Sequence, residues 1–213
     1  MLKQMIKASF CLLVGGFLFT HSISVASAEE NTACGIITPG KNPSQQTTNC
    51  LLTTAALTEG VPPEIVKAIA TQESGLKQFT ENGEPIISAD GIGIGIMQIT
   101  NQSNYDQEKL KTDILYNITA GINVLKSMYA RTDLPKIDGA NNQILENWYF
   151  PLLAYNGTKP QNSPTVQSTG EINTTAYQEI VFRKLMDNSF LGVRSLSSIP
   201  FKKEDFQYNP DSN

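Results

Sequence analysis

The sequence predicts an α+β domain that is mostly α, with a bundle of helices and a small irregular β region. Two observations predict this fold class. Apolar residues recur every three to four positions in several segments, which is the period of a helix with one buried face. Residues 86–99 instead alternate isoleucine with glycine and other small residues, and this pattern favours short or irregular β structure because glycines weaken a regular strand.

The first 28 residues have the three parts of a secretory signal peptide. Lys3 and Lys7 precede an apolar run over residues 8–19, and small residues end the segment at Ala28. The run is shorter than the ~20 residues that cross a bilayer, and no later run reaches that length. An uncleaved anchor is the alternative. We expect export to a periplasm, the cell wall or the medium, with no membrane insertion after cleavage.

Cleavage removes 28 of the 213 residues and leaves enough chain for one domain with its own core. The net charge of −4 becomes −6 once Lys3 and Lys7 are lost. No basic tract is present, which argues against nucleic acid or an anionic membrane surface as a partner.

Histidine chemistry is absent from the predicted mature protein, because the single histidine, His21, lies in the signal segment. Ser-His-Asp and Cys-His mechanisms then lose their base, and zinc loses its commonest nitrogen ligand. We expect no metal and no organic cofactor. Acid–base chemistry should depend mainly on carboxylates, with Lys, Tyr or Cys as less common substitutes.

Residues 29–49 are polar and rich in Pro and Gly, which predicts an extended leader before the domain. Cys34 and Cys50 flank most of this segment, and a disulfide is the expected state of two cysteines in an exported chain. A loop of this length contributes about 3 kcal/mol by the chain-entropy estimate. Free thiols are the alternative.

Two predicted helices precede the β region. The first covers residues 51–58. Pro62 and the proline after it open the second, because proline is tolerated in the first helical turn. Ile65 and Ile69 lie four residues apart and therefore share one face. Gly75 is well placed to end this second helix.

Three further helices follow the β region, predicted over residues 113–131, 142–155 and 174–188 from apolar positions at helical spacing. The polar residues 156–173 between the last two contain two prolines and two glycines, which predicts a long surface loop. Residues 191–213 form a C-terminal tail that either packs on the domain or frays.

Glu73 is the strongest catalytic candidate. It would lie in the last turn of the second helix, where the macrodipole disfavours a negative charge, and on a stripe shared with core isoleucines, which costs hydration. Both effects raise the pKa of its carboxyl group. A carboxyl that stays protonated near neutral pH is what a glycosidase needs to protonate a leaving oxygen. The alternative is a surface glutamate at a frayed helix end.

Four short motifs occur in order from this residue onward. They are Glu73-Ser74-Gly75-Leu76, then Gly93-Ile94-Gly95-Ile96-Met97-Gln98-Ile99, then Asn117-Ile118 with Gly121, then Ala154-Tyr155-Asn156-Gly157. The series resembles the catalytic domain of the soluble lytic transglycosylases, relatives of goose-type lysozyme that cleave bacterial peptidoglycan. The resemblance covers about residues 50–190. It implies a lysozyme-like domain in which the β region lies beside an active-site groove.

The resemblance implies roles for the residues at both ends of this series. Glu73 would be the catalytic acid and base, and Ser74 would lie beside it in the substrate site. The hydroxyl of Tyr155 would approach the glutamate, and Asn156 would face substrate. Gly157 follows Asn156 directly, whereas the family commonly has one more residue at this point.

The resemblance also assigns the segment Gly95-Ile96-Met97-Gln98 to the groove. Met97 would pack on a sugar and Gln98 would form a hydrogen bond with it. Ile96 replaces the family's usual leucine, a change that conserves volume.

The implied reaction cleaves the bond between N-acetylmuramic acid (MurNAc) and N-acetylglucosamine (GlcNAc) in peptidoglycan strands and forms a 1,6-anhydro sugar with Glu73 alone. Two alternatives stay open. A muramidase of the same fold would admit water and use a second carboxylate as base, for which Asp90 is the candidate. A catalytically silent wall-binding module is the other. We expect a monomer, and the sequence leaves open whether it docks to a secretion or conjugation assembly.

Several other features have simpler interpretations. The glycines of residues 91–95 lack the spacing and the lysine of a nucleotide-binding loop. At least two of Trp148, Tyr149 and Phe150 are predicted to be core residues, because most aromatic side chains in a helix pack inside. For Tyr116 and Tyr177, packing is favoured over contact with the groove.

Overall fold

The structure is a computed structural model that describes residues 29–100, 103–139, 141–187, 196–197 and 199–206. The predicted signal peptide lies outside the described residues. Within them, an antiparallel hairpin of β1 and β2 precedes six α-helices, in the order β1 (Glu30–Thr32), β2 (Gly35–Ile37), α1 (Gln45–Thr58), α2 (Pro63–Ser74), α3 (Gln107–Thr112), α4 (Ile114–Ala130), α5 (Tyr149–Asn156) and α6 (Tyr177–Asp187). The mostly helical class predicted from the sequence is confirmed.

Helix α2 belongs to a bundle in which each long helix packs on at least two others. It packs against α1 and α6, while α4 packs on α1 and α5, and α5 packs on α6. Five of its twelve residues are buried, among them Ile65 and Ile69, which are completely buried. Each buried isoleucine stabilises the fold by about 1.5–3 kcal/mol. No helix in the described ranges has both the length and the apolar character needed to cross a bilayer.

The prediction of an extended leader is wrong for much of residues 29–49. In β1 and β2, Glu30 pairs with Ile37 and Thr32 with Gly35. Helix α1 begins at Gln45, six residues before the predicted start, because the hydroxyl of Ser44 accepts a hydrogen bond from the backbone N–H of Thr47 and caps the helix.

The predicted disulfide between Cys34 and Cys50 is present. Cys34 lies in the turn of the hairpin and Cys50 lies in α1. The bond therefore fastens the hairpin to the helix that packs on α2.

The helix boundaries differ from prediction where proline and polar residues intervene. Helices α2 and α4 agree with prediction to within one residue at each end. Helix α5 begins only at Tyr149, after a 3₁₀ turn, because Pro151 has no N–H to donate and is tolerated only in a first turn. Helix α6 begins at Tyr177, three residues later than predicted. The short α3 was not predicted.

The β region over residues 86–99 is irregular, as the alternating pattern predicts. It contains isolated bridges, in which Ile94 pairs with both Ile87 and Ile99, and no continuous strand. Ile94, Ile96 and Ile99 are buried in the core. This irregular segment packs beside the end of α2 and forms one wall of the cleft described below.

The segment between α5 and α6 is only partly the predicted surface loop. A 3₁₀ turn covers Pro160–Asn162, and Thr165 pairs with Ile172 in a bridge. Asn162, Thr165 and Asn173 are buried, as is the serine at position 163. The segment therefore packs into the domain and connects the ends of two helices.

The described part of the C-terminal tail packs on the domain. The ring of Phe201 lies 5.2 Å from that of Tyr149 and 5.5 Å from that of Phe150, and Phe206 extends the cluster. Trp148 and Tyr149 are buried, which confirms the prediction that at least two of the three adjacent aromatic residues belong to the core.

Candidate active site

Glu73 lies in the last turn of α2, where Gly75 follows as the predicted C-cap. Its side chain is half-buried, in contrast to the fully buried isoleucines of the same helix. Burial raises the pKa of its carboxyl group from 4.5 to about 6, and a hydrogen bond from Tyr177 opposes that rise. The direction of this change is the one expected from the sequence. A fraction of this carboxyl is therefore protonated near neutral pH.

Tyr177, the first residue of α6, reaches the carboxyl of Glu73. Its hydroxyl donates a hydrogen bond of 2.5 Å to Oε1, although 104 positions separate the two residues. Burial, followed by the nearby Glu73 charge, holds the pKa of Tyr177 well above its usual value, so the hydroxyl stays protonated and donates. The sequence favoured packing for Tyr177. Its ring is buried, but its hydroxyl also belongs to the site.

Tyr155 is close to Glu73 but its hydroxyl has another acceptor. It donates to the carbonyl oxygen of Met97 at 2.8 Å, in the segment of residues 95–98 that we call the groove segment, and so makes no direct hydrogen bond to the glutamate that it approaches. Burial, followed by the charge of Glu73, raises the pKa of Tyr155 well above its usual value. Tyr155 therefore connects α5 to the residue that precedes Gln98.

Glu73 opens into a cleft between the irregular β region and the end of α5. The cleft is lined by Glu73, Ser88, Asp90, Gln98, Tyr155 and Asn156, with Ile92 as an apolar wall. Gln98, Tyr155 and Asn156 are thus brought together with Glu73, as the resemblance implies. Helix α5 ends at Asn156, and the N–H of Gly157 closes it on the carbonyl of Leu153 at 3.0 Å.

Ser74, Gly95 and Met97 were expected to bind substrate but do not line this cleft. The hydroxyl of Ser74 donates to the carbonyl of Ile96 at 2.9 Å, which ties the end of α2 to the groove segment. Met97 is completely buried and packs against Gly121 instead of facing a sugar. Gly95 is buried with a φ of +72° and faces two side-chain amides. All three hold the cleft walls in place.

Two buried side-chain amides hold the groove segment. Gln78 accepts a hydrogen bond from the N–H of Ile96 at 2.9 Å and donates to the carbonyl of Leu110 at 2.9 Å. Asn117 accepts from the N–H of Met97 at 3.0 Å and donates to the carbonyl of Ile94 at 2.9 Å. Asn117 stands in one of the four sequence motifs, whereas Gln78 stands in none and was not predicted. A polar residue three positions after a helix-ending glycine gives no signal of its burial.

Asp90 lies at the exposed tip of the loop that forms one wall of the cleft. The hydroxyl of Ser88 and the N–H of Ile92 donate to its Oδ1. These bonds, that of Ser88 first, lower the pKa of Asp90. The cleft therefore holds one carboxyl with a raised pKa and one carboxylate that stays ionised.

The family described as "Transglycosylase SLT domain" matches residues 51–178, a span that runs from α1 to the start of α6. The match includes Glu73, the irregular β region, the end of α5 and Tyr177. No curated protein matches the chain. Because the family match covers more than half of the 213 residues, the chain belongs to the transglycosylase SLT domain family.

Proposed function

We propose that this protein is an exported lytic transglycosylase that cleaves the β-1,4 bond between MurNAc and GlcNAc in peptidoglycan and leaves a 1,6-anhydro-MurNAc end. One observation carries the proposal. Glu73, the carboxyl that the cleft shares with Gln98 and Asn156, has a pKa raised to about 6. Such a group gives up a proton as an acid and takes one back as a base at the same working pH.

The first step is proton transfer to the leaving group. Protonated Glu73 donates to the glycosidic oxygen, the bond from that oxygen to C1 of MurNAc breaks, and the bonding electrons leave with the oxygen. The acetamido oxygen of the sugar stabilises the cationic C1. Because Tyr177 donates to Oε1, Oε2 is the oxygen that we assign to the proton.

The second step closes the anhydro ring. The Glu73 carboxylate accepts the proton of the C6 hydroxyl of MurNAc, and O6 forms a bond to C1. Glu73 is then protonated again, and no water is consumed. One carboxyl therefore performs both transfers, because the substrate supplies the nucleophile that a second carboxylate supplies or activates in most glycosidases.

The cleft walls would bind the glycan strand. Gln98 and Asn156 are the polar side chains that we assign to sugar hydrogen bonds, and Ile92 is the apolar surface that packs against a sugar face. Gln98 is held by a bond from its Nε2 to the carbonyl of Gly95 at 2.8 Å. Ser74, Gly95 and Met97 act behind the wall and have no contact with the sugar in this scheme.

A hydrolytic muramidase is the second candidate, favoured by the position of Asp90. Its carboxylate lines the same cleft and, with a lowered pKa, stays ionised, as a base for water must. The variant Asp90→Asn separates the two functions. A transglycosylase keeps most of its activity in this variant, whereas a hydrolase that needs this base loses it by about 10²-fold or more.

The catalytic role of Glu73 is tested by clearing of a peptidoglycan suspension. We expect Glu73→Gln to abolish clearing and Glu81→Gln, an exposed glutamate on the loop after α2, to leave it unchanged. Clearing by Glu73→Gln at the wild-type rate would refute the assignment. A wild-type protein that binds peptidoglycan without cleaving it would instead be a silent wall-binding module.

Export and partners belong to the same proposal. Peptidoglycan lies outside the cytoplasmic membrane, and the Cys34–Cys50 disulfide suits an oxidising compartment. We propose that residues 1–28 direct secretion and that the mature protein acts as a monomer on glycan strands. Docking to a secretion or conjugation assembly would be tested by co-purification with the membrane complexes of the source cell.

A further inference from the structure

Asn162 is a buried polar residue directly behind the cleft. It ends the 3₁₀ turn between α5 and α6 and is 3% exposed. Its Nδ2 donates two hydrogen bonds to the end of α5, one to Oδ1 of Asn156 at 3.0 Å and one to the carbonyl of Gly157 at 2.8 Å. One side chain therefore fixes both the main chain and the side chain at the border of the cleft.

The same residue also contacts the start of α6. Its Oδ1 accepts from the N–H of Tyr177 at 3.4 Å, and its carbonyl accepts from Nε2 of the fully buried Gln178 at 2.9 Å. Asn173 fastens the turn from the other side by donating to the carbonyls at positions 161 and 163. Asn162 is therefore held rigidly between the two helices that carry Asn156 and Tyr177.

This arrangement decides which end of the Asn156 amide faces the cleft. A side-chain amide has an acceptor oxygen and a donor NH₂ group, and without a partner it can turn over. Here the oxygen of Asn156 accepts a hydrogen bond from Nδ2 of Asn162, which holds that oxygen on the side of Asn162. Among the described residues, no protein group accepts a hydrogen bond from the Nδ2 of Asn156, and this residue is exposed and lines the cleft. The side chain thus presents a donor.

We propose that Asn162 is a positioning residue that holds Asn156 with its NH₂ group toward the cleft, so that the site recognises an acceptor oxygen, the carbonyl of an N-acetyl group. The inference rests on the proposed function for its glycan substrate. A sugar that has lost its acetyl group carries an ammonium group at this position. An ammonium offers only donors and finds no partner in the NH₂ group of Asn156.

Glycan binding in a non-cleaving background tests this role without relying on turnover. The parent is Glu73→Gln, and the probe is soluble, uncross-linked glycan strand titrated by calorimetry. We expect Asn156→Ala and Asn162→Ala each to weaken binding about fivefold, the size of one hydrogen bond. The double variant should be no weaker than Asn156→Ala alone, because Asn162 acts through Asn156.

A second variant guards against loss of folding. Asn162→Asp keeps the size of the side chain and the acceptor for Tyr177 but cannot donate, so Asn156 turns over and presents its oxygen. We expect a loss of binding of about tenfold or more, which disappears in the Asn156→Ala background. De-N-acetylated strands should bind the parent about fivefold more weakly than acetylated ones. Their affinity for Asn156→Ala should be nearly the same as for the parent.

Asn147→Ala is the matched control. Asn147 is also 3% exposed, and its amide bonds the N–H of Ile137 at 3.0 Å and the hydroxyl of Tyr129 at 2.9 Å, but it lies outside the cleft lining. It should lower the melting temperature about as much as Asn162→Ala does and leave the glycan affinity unchanged.

The failures of the two ideas are distinguishable. Each of three results would overturn the positioning role. These are additive losses of glycan affinity in Asn156→Ala and Asn162→Ala, an unchanged affinity in both Asn162 variants, and a parent that binds no glycan. If glycan binding by the parent depended on Asn156 and Asn162 as expected, but the wild-type protein released no product from peptidoglycan, the proposed activity would be refuted. The role of Asn162 would then be supported.

Discussion

The hydroxyl of Tyr177 donates to Oε1 of Glu73 at 2.5 Å and so joins the start of α6 to the end of α2. This bond lowers the pKa of Glu73 while burial raises it, and burial is the larger effect. The balance leaves the carboxyl near a pKa of 6. In the proposed reaction Tyr177 therefore tunes the pKa of Glu73 without supplying or taking the transferred proton.

Replacing Tyr177 by Phe should move the pH profile to higher pH. The change removes the bond that favours the ionised carboxylate, so the pKa of Glu73 rises further. A bond of about 1 kcal/mol corresponds to a shift of roughly half a pH unit to one unit. The measurement is kcat/KM against pH on soluble glycan strands, where the alkaline limb near pH 6 reports Glu73. Tyr129→Phe, which alters a hydroxyl bonded to Asn147, should leave the limb in place. An unmoved limb in Tyr177→Phe would remove Tyr177 from the site.

Replacing Tyr155 by Phe should lower stability and turnover together. The hydroxyl of Tyr155 bonds the carbonyl of Met97, and its loss leaves that buried acceptor without a donor. We expect the free energy of unfolding to fall by about 1–2 kcal/mol. The rate should also fall because Gln98 is less firmly placed. Urea unfolding and the pH profile check this. If the alkaline limb moved as far as in Tyr177→Phe, Tyr155 would act on Glu73 directly.

Glu73 should reduce stability above pH 6. Its folded pKa is raised, so the stabilising effect of the protonated carboxyl is fully present below pH 4.5, the ordinary value, and is lost as the pH rises through 6. Glutamine does not titrate. The free energy of unfolding of Glu73→Gln minus that of wild type should therefore be about 2 kcal/mol larger at pH 7.5 than at pH 4. Urea titrations at both pH values measure the difference, and an equal difference at the two would contradict the raised pKa.

Gly95 should be intolerant of any side chain. Its φ is +72°, and a Cβ atom there would overlap the amides of Asn117 and Gln78. We expect Gly95→Ala to lower the free energy of unfolding by more than about 3 kcal/mol. Gly91→Ala is the matched control, with φ of +81° and no atom within 4 Å of the added Cβ. It should cost only the backbone strain, about 1 kcal/mol. Equal losses in thermal unfolding would show that the two amides yield to the methyl group.

Much of the fold follows from local signals in the sequence. Helices α2 and α4 could be predicted to within one residue because their boundaries depend on proline, glycine and an aspartate cap within the segment. The early start of α1 was missed although Ser44 carries its cap, because polar residues such as Gln45 hide the helical period. Likewise, Pro151 marks the true start of α5, but the apolar positions at helical spacing led to a predicted start at residue 142.

The site depends more on contacts between distant segments. Glu73 could be identified from its position on α2 and from the motifs around it. That Tyr177 reaches it could not, because the contact arises from the packing of α6 on α2. Motif letters also do not say where a side chain points. Ser74 and Met97 stand in the expected motifs, yet one bonds the backbone of Ile96 and the other is completely buried.

Product analysis in ¹⁸O-labelled water tests the central claim, that Glu73 cleaves the glycan by using the substrate's own C6 hydroxyl. Mass spectrometry of digested peptidoglycan should show 1,6-anhydro-MurNAc ends without ¹⁸O from the wild-type protein, and no product from Glu73→Gln. Reducing MurNAc ends that carry ¹⁸O, without anhydro product, would contradict the account and identify the protein as a hydrolase.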